Sequence, residues 1–327
     1  MDPKITAKEA ASLLGITVQG LHKKLKKETI SSKIGKNKTY LNHTEARQLF
    51  SFNFNKKTIS IQIVKGGAGK TAIASSLAVR SSLYGAKVLC VDLDQQANLS
   101  RAFGVRIDRD TPAMIDVIEN KAEIEEGIVE IADGLHLFPS HIRNAVIDNT
   151  IVVERMAIDR VYANVLHPLL DYYDVIFIDC PPALTHSVAA ATLASDLVIA
   201  PVTPEFGALD GLDLTVGEFS KLEKHYKRKI KIKIVQNRFD ARTTLSHSVL
   251  QKLIKNASYS EKMFRTYIRA TQEFPNCYSK AISIFDGLKN SSAKEDIDLL
   301  TREIMDEIIL KDKFFERQIE EKELAVV

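Results

Sequence analysis

The chain has 327 residues, 45% hydrophobic and 27% charged, the balance of an ordinary globular protein with room for one α/β domain and a smaller companion. Its apolar runs fall short of the roughly 18 residues a membrane span needs, and Met1-Asp2-Pro3-Lys4 does not open a secretory signal, so membrane-embedded and exported classes are excluded at this level. The net charge of +3 is unevenly spread: residues 1–57 carry 12 Lys and Arg against 4 Asp and Glu, and the remainder carries 33 against 38.

A small basic segment joined to a mildly acidic body points to a polyanionic partner for the first part. Cys90, Cys180 and Cys277 lack metal-ligand spacing, and two of them lie in apolar strand-like runs, which reads as inert thiols of a cytoplasmic protein.

Thr6-Ala7-Lys8-Glu9 is a capping box that opens a first helix ending near Gly15. Thr17 caps a second helix over 18–27, in which Leu21 and Leu25 face inward and leave Gln19, His22, Lys23 and Lys26 free to meet a groove. Two apolar runs then flank Gly35-Lys36-Asn37-Lys38, a β-hairpin with a basic tip, and Asn42 opens a last short helix. Over residues 1–50 this order resembles the winged helix-turn-helix of the MerR type. The resemblance implies DNA binding, with base contacts from the second helix and phosphate contacts from Lys36 and Lys38. A solvated helical docking module is the other reading. Residues 51–57 read as a linker.

Residues 58–327 alternate apolar strand-like runs with helical stretches, as in a doubly wound, mostly parallel sheet. The first run ends at Val64. Lys65-Gly66-Gly67-Ala68-Gly69-Lys70-Thr71 then leads into an alanine-rich helix, an arrangement whose backbone N–H groups and helix N-terminus cradle phosphates. The common P-loop pattern would place glycine at Val64, and Lys65 is an additional lysine. Residues 87–93 form a buried strand ending in Asp92-Leu93-Asp94, and 175–179 another ending in Asp179. Residues 197–200 and 232–235 supply two more. Carboxylates at successive strand ends beside a P-loop point to a Mg-nucleotide site.

KGGAGKT, DLDQQAN and FIDCPP, with NRFDART at 237–243 and the segment 267–286, resemble the deviant Walker A ATPases of the ParA/MinD class over positions 58 to 310, and DNA-partition ATPases within it. The resemblance implies an α/β P-loop ATPase that binds ATP or ADP with Mg²⁺. The phosphate loop would be Lys65, Gly66, Gly67, Ala68, Gly69, Lys70, Thr71 and Ala72, with Asn237 touching adenine. Lys70 would pair with the β- and γ-phosphates. Thr71, Asp92 and Asp179 would hold the metal or its waters, and Asp94 would orient the attacking water. Lys65 would cross an ATP-dependent homodimer to the partner's phosphates, and Arg242 and Arg269 would bind duplex DNA non-specifically. A ParB-like partner and a nucleoid location follow from the same resemblance. Ala72 replaces a frequent second Thr, and Gln95 replaces a usual Pro.

The basic run 224–229 has two readings, a solvated helix end or a second phosphate-facing patch. A nucleotide-responsive transcription repressor is the alternative function. A MinD-like membrane mode is disfavoured by Glu316, Glu320, Glu321 and Glu323 near the end of the chain.

Overall fold

The protein is described by a computed structural model covering residues 1–108 and 110–309; the acidic 314–327 segment lies outside the described residues. The first 50 residues form the expected elements. The Thr6 hydroxyl accepts from Glu9 N–H at 3.3 Å while the Glu9 carboxylate accepts from Thr6 N–H at 2.7 Å, opening α1 (Ala7–Leu13). Thr17 accepts from Gly20 N–H at 3.0 Å and opens α2 (Val18–Lys27), whose Leu21 and Leu25 are buried. Lys36 and Asn37 adopt φ of +47° and +59°, a two-residue turn whose twist suits the hairpin of β2 (Lys33–Gly35) and β3 (Lys38–Leu41). A short β1 (Ile5–Thr6), unforeseen from the sequence, pairs antiparallel with β3 to give the order β1-β3-β2. Asn42 precedes α3 (His43–Phe50).

The body is built on a seven-stranded sheet of β4 (Lys57–Ile61), β5 (Val88–Asp92), β6 (Val129–Ala132), β7 (Leu135–Phe138), β8 (Val175–Asp179), β9 (Leu197–Val202) and β10 (Ile232–Gln236). The spatial order is β10-β9-β4-β8-β5-β7-β6, parallel except for β6 against β7. The inner strands are buried along their length, which is why they read as unbroken apolar runs. The pair β6 and β7 escaped the sequence reading because each is four residues long and β6 is only half-buried. Glycine loops let β4 run into the long α4 (Lys70–Leu83), which packs along the sheet and against the last described helix, Ser292–Ile308.

In residues 51–57, expected as a linker, Phe52 and Phe54 are half-buried while Ser51, Asn53, Asn55 and Lys56 are exposed. Phe50 stacks on Phe52 at 5.5 Å, Phe52 meets Phe54 edge-on at 6.3 Å, and Lys57 already belongs to β4. Leu21, Leu25 and Leu41 share one hydrophobic core with Ile61, Leu77 and Leu300. Polar contacts reinforce the junction: Arg47 pairs with Asp174 at 2.7 Å, Thr44 donates to Asp133 at 2.6 Å, and the His43 ring lies 2.8 Å from the Ser82 carbonyl. The basic segment is therefore seated on the body.

The centre of that junction is Arg80 of α4, whose side chain has no solvent exposure. Its Nε donates to Asp298 at 2.6 Å, its Nη1 lies 3.5 Å from Glu9 of α1, and the guanidinium covers the rings of Tyr84 and Phe285 at 4.9 and 5.1 Å. Arg302 shares Asp298 at 2.8 Å. Burial alone would raise the Asp298 pKa, but Arg80 and Arg302 outweigh it and hold the carboxyl down at about 2. Breaking such a buried pair from one side leaves an uncompensated charge, which costs about 3–5 kcal/mol. Asp298→Asn is accordingly expected to lose stability of that size in urea unfolding. Because the folded pKa lies below the unfolded value of about 3.9, the wild-type advantage is full above pH 4 or so and fades as pH falls towards about 2.

Candidate nucleotide site

The three loops of the site lie together because β4, β8 and β5 are neighbours and parallel, so all three release their chains at one sheet edge. After β4 the chain crosses residues 62–69 and starts α4 at Lys70. Gly67 and Gly69 take φ of +73° and +87°, conformations that a side chain resists. At Gly69 the constraint is also steric, since a Cβ would stand 2.2 Å from the Asn237 amide nitrogen. That amide donates to the Ala68 carbonyl at 2.8 Å, so Asn237, from the end of β10, clamps the loop from outside.

Lys70 is 7% exposed. Its ammonium bends back along the loop to the carbonyls of Ile63 and Lys65, at 3.3 and 3.2 Å. Burial lowers its pKa, while Asp179, Cys180 and Asp94 pull it up. An ammonium held by two loop carbonyls is poised to exchange them for better acceptors, such as phosphate oxygens.

Asp92 and Asp179 are directly opposed in the β5–β8 register. Asp92 is fully buried and satisfied by this chain: one oxygen accepts from Ser100 N–H and Oγ at 2.9 and 2.7 Å, the other from Asp94 N–H at 3.2 Å. Burial nonetheless pushes its pKa up to about 7. Asp179, 1% exposed, is pushed well above the usual range by burial and by Asp92. Its Oδ2 accepts from the Thr71 hydroxyl at 2.7 Å, and its Oδ1 has no hydrogen-bond partner among the described residues. A buried carboxylate oxygen left over beside a hydroxyl, with a second carboxylate next to it, is a donor set that suits Mg²⁺, a hard cation that prefers oxygen. Asp94 is 8% exposed, accepts from Gln96 N–H at 3.0 Å, and lies on the wall of the pocket with Lys70 and Thr71. That pocket has a volume of about 880 Å³ and continues past Asn237 and Arg238 to Phe274 and Tyr278.

Gly66, Gly67, Gly69, Lys70, Thr71, Ala72, Asp94 and Asn237 all line this one pocket, while Ala68 is buried behind it. Asp92 and Asp179 sit beneath the floor. Lys65 is held at the edge, its ammonium 3.1 Å from Glu205 and 3.0 Å from the Phe206 carbonyl. Glu205 also lies 3.7 Å from Arg238, and the Phe206 side chain beside it is 99% exposed. Sequence reasoning missed Glu205, although an acidic residue just beyond the β9 strand was the same kind of signal that drew attention to Asp94. It also missed Ser100, which satisfies Asp92 from the helix Asn98–Ala102 and has no motif of its own.

The proposed DNA-contacting residues fall into two groups. Gln19, His22, Lys23, Lys26, Lys36 and Lys38 are all exposed, with Lys38 donating to the Leu288 carbonyl at 2.9 Å. Arg242 is 88% exposed and folds onto Asp240 of its own turn at 2.8 Å. Arg269 is more engaged, with Nε and Nη2 both on the buried Asp296 at 2.9 and 2.6 Å and Nη2 also 3.2 Å from Glu295. In the basic run, Arg228 donates to the Ser195 carbonyl at 3.2 Å and thereby caps the distant helix His186–Ala194, while Lys224, Lys227 and Lys229 are exposed.

Comparisons agree with this architecture. Residues 56–232 match the AAA domain family AAA_31. The chromosome-partitioning ATPase Soj of Thermus thermophilus is 29% identical over 214 residues, covering 65% of this chain and 80% of that protein. A Cyanothece McdA variant in complex with ATP superposes with a TM-score of 0.70 at 22% identity, covering 77% of this chain and 97% of its own. Cobyrinic acid a,c-diamide synthase of Mycobacterium smegmatis, solved with an ATP analogue and magnesium, gives 0.66 at 23%, covering 76% and 94%. These last two likenesses are of fold. With its phosphate loop, its paired strand-end carboxylates and a family match over more than half its length, the chain belongs to the AAA_31 family and is an ATPase of the ParA/MinD type.

Proposed function

We propose that the protein is a DNA-partition ATPase whose ATP-bound homodimer binds duplex DNA and whose hydrolysis is stimulated by a ParB-like partner. The observation that carries this reading is the placement of two lysines at one loop. Lys70 lies inside the pocket, and Lys65 stands at its edge, where a second subunit could receive it. Likeness to a chromosome-partitioning ATPase supports the choice of cargo transport over small-molecule synthesis.

On this reading Lys70 trades its two loop carbonyls for the β- and γ-phosphates, and the N–H groups of residues 66–72 surround the phosphate chain. Thr71 and Asp179 would hold Mg²⁺, with Asp92 fixing the position of its neighbours through Ser100 and Asp94. Mg²⁺, when bound, would supply positive charge to offset the charge that develops during transfer. Asp94 orients the attacking water, and Asn237 and the residues near Phe274 receive the base. Lys65 must leave Glu205 to reach a partner's phosphates, so dimerisation waits for an anion that outcompetes a carboxylate.

Arg242, Lys36 and the exposed face of α2 supply DNA contacts, with the first 50 residues acting as a winged helix-turn-helix that also represses the protein's own operon. The ion pairs of Arg269 make it the less available of the two arginines. The firm seating of the N-terminal segment favours a second reading, a nucleotide-responsive repressor, in which operator binding rather than transport is the output. A nucleoid-associated location follows from non-specific DNA binding in either case.

Lys70→Ala is expected to reduce ATP turnover by about 10²-fold or more with an unchanged circular dichroism spectrum, as befits loss of a charge aimed at the reacting phosphates. Turnover that survives would remove the site assignment. Glu205→Gln frees Lys65 from a partly exposed pair worth about 0.2–1 kcal/mol. One such pair is freed in each protomer, so its ATP-dependent dimer should be about 2- to 30-fold tighter by sedimentation, and a weaker dimer would contradict the latch. In gel shifts, random duplex DNA should bind with ATP and release steeply with salt. Binding that is equal with ATP, ADP and no nucleotide would refute nucleotide gating. Tight operator binding with ADP, together with no stimulation of turnover by a partner, would instead select the repressor.

A further inference from the structure

Between the N-terminal segment and the helix Ser292–Ile308 runs an open cleft of about 730 Å³. Its walls bring together residues far apart in sequence: Lys8 of α1, His22 of α2, Lys38 of the hairpin, Arg269, Lys289 and Lys294. His22, Lys38 and Arg269 were singled out from the sequence as belonging to two unrelated DNA surfaces; the fold places them on one.

The charges of this cleft are not all spent. Arg269 and Arg302 are paired with Asp296 and Asp298, and Lys294 is buried with its ammonium on the Gly287 carbonyl. Lys8 and Lys289, by contrast, are exposed and make no ion pair among the described residues, and Lys38 meets only a carbonyl. The acidic groups on the walls are already occupied: Glu9 by Arg80, Glu295 by Arg269 and Asp298 by two arginines. The N-terminal turn of the helix Ser292–Ile308 also lies on this wall and adds positive potential. What remains is a cationic trough with spare ammonium groups on both the α1 and the body sides.

We propose that this cleft is a phosphate track, in which Lys8, Lys38 and Lys289 hold one strand of the same DNA segment between the N-terminal segment and the ATPase body. This rests on the reading of the protein as a DNA-binding ATPase and adds that its two DNA surfaces are one. The ligand is the backbone of duplex DNA, bound without regard to sequence, because lysine ammonium groups reach phosphates and carry no base information.

The test is the salt dependence of random-duplex binding by the full-length protein with ATP, for the wild type, Lys8→Gln, Lys289→Gln and the double variant. Each lost phosphate contact is expected to lower the slope of log K against log salt by about 1 per chain. The double variant should therefore lose about 2 per chain. The reduction should be the same for operator and random DNA, with basal ATP turnover and the circular dichroism spectrum unchanged. Lys121→Gln, on an exposed lysine elsewhere on the body, should leave the slope where it was. Wild-type binding with an unaltered slope in the double variant overturns the track alone. Absence of wild-type binding in every nucleotide state overturns both the track and the function on which it rests.

Discussion

A guanidinium with no water contact must be met by charge from the protein itself, and Arg80 is met from three directions at once. Asp298 comes from the helix Ser292–Ile308, Glu9 from α1, and Tyr84 and Phe285 cover the faces. The helix that carries Arg80 begins at Lys70 and Thr71, so the same rigid element has phosphate chemistry at one end and the junction with the N-terminal segment at the other. Glu9 has two duties as well, since one of its oxygens caps α1 while the other faces Arg80. Arg80 and Glu9 thus join α4 directly to α1.

The phosphate end is an unfinished electrostatic arrangement. Two carboxylates opposed across β5 and β8 are buried, one fully satisfied by hydrogen bonds and one not. A lysine is buried beside them, its hydrogen bonds among the described residues going to two carbonyls. Folding has buried three ionisable groups against one pocket, a cost that a bound cation and polyphosphate would offset. At the rim Lys65 pairs with Glu205 at 3.1 Å, a partly exposed ion pair.

Much of this was legible in the sequence, for local reasons. The glycine spacing, the helix after it, and aspartates ending apolar runs are consequences of chain geometry within ten residues or so. The capping threonines and the Lys36-Asn37 turn are local in the same sense, and each was found where its residues indicated. What escaped had no local mark. β1 exists only because β3 offers it an edge, Ser100 matters only because a loop returns it to Asp92, and the ring contacts of Phe52 with Phe50 and Phe54 have no motif of their own.

The sequence by itself determined the chemistry, because a phosphate loop, its lysines and its strand-end carboxylates are set by residue type at short spacing. Only the tertiary structure decided which of those groups are free to act. Burial left Asp179 with an unpaired oxygen and closed Asp92. Long-range pairing engaged Arg269 and left Lys8 and Lys289 exposed. Packing around Arg80 turned a basic appendage into one wall of a shared cleft. Charge is written residue by residue, but whether it is spent depends on which distant groups the fold brings within reach.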